Sequence, residues 1–464
     1  MGLDVRDADG QFCRVTGGGR RFLAVALVAV SILLLNSPLY IHAQPPAPEP
    51  ASRVVAAVAT SLAASFASKQ PGAEGVKVLP AAADLYTGDM LITLPGAALR
   101  GKNGAVSLKS LADYDGRSPF PTLETAFTLN DAKTSDLDVT LDRGRIDLTN
   151  TKAAGAAVVR VRFWDQVWTI TLDAPGTRVG LELYGRWPSG SQFQPAQPVV
   201  PSAPRKPPAP VASLVLLVVS GSASAEVSGG LTLGLKAPPG PALLGWDSIE
   251  GSHPQPQKLE QLPSWADPDA SLSSDGKLAA AAVERFRLAR AESPSTAIST
   301  FLNSTDPFEQ RVGLVSIGAT DDLTALVKEL SGAKTPVEWD FGIRIARHWL
   351  GRCPGHDQKM YAALISPAHG YTPAQARIIM KLLFGFSVEE LGRSETYEVL
   401  IDYLTHDQST VRNLAAWHLV RAIPQGKTIG YTPGATKAEC ETAAREWKKL
   451  VPSGQLPPPP PKKD

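Results

Sequence analysis

Residues 158–172 read VVRVRFWDQVWTITL. Val159, Val161 and Phe163 alternate with Arg160 and Arg162, and beyond Asp165-Gln166 the alternation resumes with Val167, Thr169 and Thr171. A period of two puts the apolar set on one face and the arginines on the other, as in a half-buried antiparallel strand pair. Residues 397–423, YEVLIDYLTHDQSTVRNLAAWHLVRAI, keep a different period. Leu400, Ile401 and Leu404, then Ala415 and Leu419 beyond a polar turn, recur at three- and four-residue spacing, one stripe on each of two helices. The chain therefore holds two kinds of structure, an all-β part and an all-α part.

Period two extends from about residue 76 to LLGWD at 243–247, so 76–247 reads as a β domain, an antiparallel sandwich or roll. Within it, VTLDRGRIDLTN (139–150) reads as a hairpin turning at Asp142-Arg143-Gly144. The proline-rich stretch 194–212 reads as an extended loop inserted in that domain. Residues 248–269 are polar and proline-spaced, a linker, and helical spacing runs from 270 to 452. GYTP occurs at 370–373 and 430–433, each with Thr at a helix cap and Pro at the first helical position. Ahead of the β domain, 44–75 reads as a proline-rich linker and an alanine-rich helix with Val54, Val58, Leu62 and Phe66 at i, i+4 spacing. The tail 453–464 is proline-rich and reads as disordered.

The 464 residues are too many for one ordinary core and imply a multidomain chain. A net charge of +1 with 20% charged residues argues against a nucleic-acid binder. Residues 1–21 end in Arg20-Arg21, and 22–43 hold the uncharged run FLAVALVAVSILLL before Ala43. That is a signal peptide cleaved near Ala43 or, uncleaved, a membrane anchor over 22–41 with the N-terminus cytoplasmic. Either way the bulk of the chain is expected outside the cytoplasm, facing the periplasm or cell exterior, or secreted after cleavage. Cys13 precedes the apolar run, which leaves Cys353 and Cys440 as one candidate disulfide or two free thiols.

Residues 85–116, LYTGDMLITLPGAALRGKNGAVSLKSLADYDG, with turns at Gly88-Asp89 and Asp115-Gly116, resemble the FecR-type exported β domain over roughly 76–247. FecR proteins transduce signals in the cell envelope by pairing that domain with a cytoplasmic sigma-factor regulator. Only 21 residues precede the apolar run here, so the resemblance implies an exported binding module without the regulator. The helical part resembles HEAT-type repeats, with units at 301–319, 326–350 and 397–423. Asp306 and Arg311, Asp340 and Arg344, and Asp407 and Arg412 mark their turns. The aspartates are expected to cap helices and the arginines to reach carboxylates, as a repeat ladder or a partner-binding row.

RHWLGRCPGHD (347–357) collects His348, Cys353, His356 and Asp357, residue types of a metal site or a nucleophile–base pair. No CxxC or HxxxH frame accompanies them, and Gly351 and Pro354 read instead as a helix stop with Gly351 left-handed. Trp164 and Trp168 beside the 165–166 turn read as core, or as an exposed edge for stacking on a sugar or peptide. No catalytic, cofactor or metal residue is assigned. The leading expectation is a non-enzymatic envelope binding or scaffold protein with an unknown protein partner. The alternatives are a membrane-tethered sensor acting through a separate partner, and a metal- or Cys/His-dependent hydrolase using 348–357.

Overall fold

The computed structural model describes residues 53–73, 75–118, 123–195, 209–249, 254–332, 335–432 and 434–458. The segment 22–43 and most of the proline-rich insertion lie outside them. Among the described residues no helix is long and apolar enough to cross a membrane.

The β part runs β1 (Val55–Ala59), β2 (Phe66–Lys69), β3 (Lys77–Val78), β4 (Asp84–Tyr86), β5 (Met90–Thr93), β6 (Ala98–Gly101), β7 (Val106–Leu111) and β8 (Thr125–Leu129). It continues through β9 (Leu137–Asn150), β10 (Ala157–Phe163), β11 (Gln166–Leu172), β12 (Arg178–Arg186), β13 (Val211–Ser220), β14 (Ser222–Glu226), β15 (Thr232–Lys236), β16 (Pro241–Asp247) and β17 (Pro256–Lys258). Pairings form two series that share β9. One is β4-β1-β6-β7-β9-β12-β13-β16-β17. The other is β3-β2-β5-β8-β9-β10-β11-β14-β15. Leu108, Leu148, Leu181 and Leu216 of the first meet Phe127, Val161, Ile170 and Ala225 of the second in one core.

Residues 139–150 are thus no hairpin. They belong to one 14-residue strand whose first half pairs with β8 and β10 and whose second half pairs with β7 and β12. Gly144 does take positive φ, +91°, but as a bend inside the strand. A Cβ there would sit 2.6 Å from the Glu124 carbonyl oxygen, so only glycine fits. The β9–β10 pair is parallel, which makes the sheet mixed rather than antiparallel throughout.

The alternation at 158–172 holds in β10, but in β11 the inward set is the opposite of the expected Val167, Thr169 and Thr171. Val159, Val161 and Phe163 are buried, and Arg162 makes a bidentate pair with Asp138 at 2.8 and 2.9 Å. In β11 the buried set is Trp168, Ile170 and Leu172, with Val167 exposed. Trp168 is fully buried while Trp164 is exposed, so they form no common stacking edge.

The alanine-rich stretch is β1 and β2, not a helix. Spacing of four keeps residues on one side of a strand as well as of a helix. Here Val54, Val58 and Leu62 face solvent and the small Ala57 and Ala59 face the core. Pairing with β4, β6, β3 and β5 overrides alanine's helical preference. The 248–269 segment contributes β17 and seats Trp265 and Ala266 against Leu217 and Val219.

The α part runs α1 (Ser274–Glu292), α2 (Pro294–Leu302), α3 (Pro307–Ala319), α4 (Leu323–Gly332), α5 (Pro336–Gly351) and α6 (His356–Ile365). It ends with α7 (Pro373–Phe384), α8 (Val388–Leu391), α9 (Ser394–Tyr403), α10 (Ser409–Ala422) and α11 (Lys437–Leu450). Thr372 caps α7 in a capping box with Gln375, as the first GYTP predicts. The second copy starts no helix; Thr436 caps α11 instead, in a box with Glu439.

The two parts keep separate main cores and meet along a seam. Trp187, just past β12, enters the helical core, stacks on Phe384 at 4.6 Å and donates its indole N–H to the Leu350 carbonyl at 3.0 Å. Gly185 of β12 and Gly351 of α5 touch backbone to backbone: a Cβ on Gly351 would lie 2.5 Å from Arg186 Cα. Gly351 is therefore not a left-handed stop. It is the last residue of α5, and the left-handed glycine is Gly355, φ +86°, at the start of α6.

Candidate functional site

The 347–357 cluster divides among separate tasks. His348 is buried at the seam, stacked on Tyr184 at 5.3 Å with its Nε2 3.5 Å from Glu124. Glu124 also contacts Arg143 Nε at 3.3 Å. Arg143 donates to the Ala319 carbonyl at 2.9 Å, and Arg352 donates to the Gly318 carbonyl at 2.6 Å and pairs with Asp321 at 3.1 Å. These groups tie β8 and β9 to the end of α3. Burial pushes the His348 imidazole down, against the pull of Glu124. Burial alone would raise the Glu124 carboxyl, but His348, Arg143 and Arg352 together hold it well below the usual carboxylate range.

His356 folds back on its own turn. Its ring stacks on Trp349 at 4.0 Å, and Nδ1 lies 2.7 Å from the Trp349 carbonyl, so Nδ1 carries the proton and donates. Burial lowers its pKa to about 4. Burial also pushes the Cys353 thiol up, away from the reactive thiolate. Cys353 and Cys440 are both free thiols, the second of the two readings the sequence left open. Among the described residues no three His, Cys, Asp or Glu side chains converge as a metal-binding group.

The predicted ladder holds in part: Asp306 caps a helix, and Arg344 reaches the Asp340 carboxylate of its own unit at 3.8 Å. Asp306 caps α3, accepting from the Phe308 N–H at 2.8 Å, and also pairs with Arg285 at 2.9 Å. Asp340 lies inside α5, which Thr335 caps, and Asp407 precedes an α10 whose start has no side-chain cap. Arg412 reaches carbonyls, those of His406 and Asp407, at 2.7 and 2.9 Å. Arg311 lies over the Phe308 and Phe341 rings. No continuous row of Asp–Arg pairs results.

Arg344 also lines an open cavity of about 370 Å³ at the seam, with its partner Asp340 beside it. Tyr184 and Ser189 line it from the β side; Arg344 and Arg347 of α5, Phe386, and Trp417, His418 and Arg421 of α10 line it from the helical side. Trp417 organises the helical wall. Its indole N–H donates to Asp340 at 2.8 Å, and the guanidinium groups of Arg347 and Arg421 lie 5.3 and 4.5 Å from its ring centroid. Such contacts contribute about 0.5–1 kcal/mol when exposed and about 2 when desolvated. His418 Nε2 lies 2.6 Å from the Leu382 carbonyl and so carries the proton. Burial lowers its pKa to about 3, assisted by Arg347, Arg421 and Lys381, so the ring is neutral at physiological pH.

Charge in this wall is unbalanced. Asp340 is shared between Arg344 at 3.8 Å and Arg421 at 3.7 Å. Arg347 forms no ion pair among the described residues, and its Nη1 is buried with no hydrogen-bond acceptor. Burial pushes its pKa down, opposed by Tyr184 and assisted by repulsion from Arg421. None of Arg347, Trp417, His418 and Arg421 stands out in the sequence as a binding residue. The signals present were Arg344 and Arg347 at i, i+3 and Trp417 and Arg421 at i, i+4, each pair sharing a helix face. What spacing could not show is that the two faces meet. No family model, curated protein or solved structure gives a significant match to the chain.

Proposed function

We propose that this chain is a non-enzymatic binding protein of the cell envelope, a FecR-like β module joined to a HEAT-like helical module, and that the seam cavity is its ligand site. The observation that carries the reading is the cavity wall: aromatic surface beside Arg347, a half-buried guanidinium one of whose N–H groups has no acceptor, a combination suited to holding a ligand. The Cys/His cluster at 348–357 supports a hydrolase less well, since His348 and His356 are each engaged in packing. Export rests on the apolar segment 22–43, with tethering through 22–41 if it is retained.

Native mass spectrometry of the full chain, purified gently from its own membranes, tests the binding reading. A bound small molecule retained by the wild type and lost in Phe386→Ala is expected. A wild-type protein that is ligand-free in every preparation and captures nothing from a metabolite extract sinks it. N-terminal sequencing of the same material separates tethered from secreted protein, since cleavage near Ala43 would give a start at Gln44.

A further inference from the structure

We infer that the seam cavity is an oxyanion site, taking the carboxylate or phosphate group of a small organic ligand against Arg347. The inference rests on the proposed binding function and goes further by naming the group recognised. Three guanidinium groups, Arg344, Arg347 and Arg421, face one cavity, and Asp340 is the one carboxylate paired with any of them among the described residues. Asp340 is already shared by two arginines and accepts the Trp417 N–H. Arg347 is left over, with a buried N–H group aimed at no acceptor.

Arg347 is half-buried, and its one buried N–H group without an acceptor carries a cost that an anion supplying the missing acceptor relieves. Arginine is also the residue whose planar fork matches two oxygens of a carboxylate or phosphate. Gly385 allows close packing at this point: its φ is +80°, and a Cβ there would press on Arg347 Nη1 at 3.0 Å. A volume of about 370 Å³ leaves room for an organic body beyond the anionic group, and Phe386 offers that body an apolar wall. Neutral His418 completes the lining without adding charge.

Isothermal titration calorimetry and thermal denaturation of the full chain would test this, with inorganic phosphate in one arm and benzoate in the other. Sodium chloride at matched ionic strength serves as the control. Saturable binding of at least one anion, weakened tenfold or more in Arg347→Gln and unchanged in Arg377→Gln on the exposed side of α7, is expected. Phosphate binding alone would assign a phosphate-bearing ligand, and benzoate binding alone a carboxylate. Arg347→Gln removes a half-buried guanidinium that forms no ion pair among the described residues, so its unliganded melting temperature should stay close to that of wild type, which separates lost binding from lost folding. Equal binding by wild type and Arg347→Gln, or no response beyond chloride in either arm, overturns the inference. A neutral ligand retained in native mass spectrometry alongside that null result would leave the binding function standing without the oxyanion site.

Discussion

Acidification from pH 7.5 to 5 should cost this protein several kcal/mol of stability through its buried histidines. His356 and His418 are neutral in the fold, with pKa values lowered to about 4 and about 3. Burial is the main cause for both; Arg352 and Lys359 add repulsion at His356, partly offset by Asp321, and Arg347, Arg421 and Lys381 add it at His418. In the unfolded chain both would titrate near 6.5. A lowered histidine pKa means that the unfolded state takes up the proton first. Stability is therefore full above about pH 6.5 and falls as the pH drops toward the folded values. At pH 5 the difference is about 1.5 pH units for each ring, or about 2 kcal/mol. The rings have different neighbours, Trp349 and Leu382, so their effects should add to about 4 kcal/mol. His348 acts in the same direction, while the depressed carboxylates contribute their own loss only below about pH 4.5. Urea denaturation at pH 7.5 and 5 would measure this in wild type, His356→Gln, His418→Gln and the double variant. Each substitution should remove about 2 kcal/mol of the pH-dependent loss, whatever it does to stability at pH 7.5. A double variant that loses as much as wild type on acidification would refute the assignment of these rings.

Two further outcomes follow from the seam. Gly351→Ala gains about 1 kcal/mol of helix propensity but presses a methyl on the Gly185–Arg186 backbone, where overpacking costs about 1–3 kcal/mol or more because neither backbone can yield. Net destabilisation in urea is expected, whereas Gly332→Ala, with open space around it, should be neutral or stabilising; a Gly351→Ala protein more stable than wild type would show that the contact yields. Glu124→Gln takes one carboxylate from Arg143 but leaves it Asp142, so the cost should sit near the low end for broken buried pairs, about 3 kcal/mol. A shift below about 1 kcal/mol by chemical denaturation at pH 7.5 would mean that Glu124 is not the group holding β8 to the helices.

Local chemistry made much of this protein legible from sequence. The alternation of Val159, Val161 and Phe163 with Arg160 and Arg162 required one wet face, and the structure supplies Asp138 for that face. The stripe of Leu400, Ile401 and Leu404 required a helix, and Thr372-Pro373 marked the start of another. Where a pattern fitted two structures, sequence could not choose. Four-residue spacing at Val54, Val58, Leu62 and Phe66 suits a helix and also one side of a strand, and pairing with distant strands decided it. Gly144 required positive φ in either reading, but whether the chain reversed or only bent depended on Glu124 and Thr125 pressing against it.

By itself, then, the amino-acid sequence determined periods, caps and turns, because those depend on neighbours within a few residues. It marked out a β part, an α part and the apolar segment ahead of them. Only the tertiary structure decided what the seam between the parts does. Gly351 proved to be a contact with Gly185 rather than a helix stop, and Cys353 and Cys440 proved to be free thiols. Arg347, unremarkable in its own helix, became a half-buried cation facing a cavity because α5, α10 and β12 converge there. A side chain's charge is written in the sequence; whether that charge finds a partner depends on elements brought together from far along the chain.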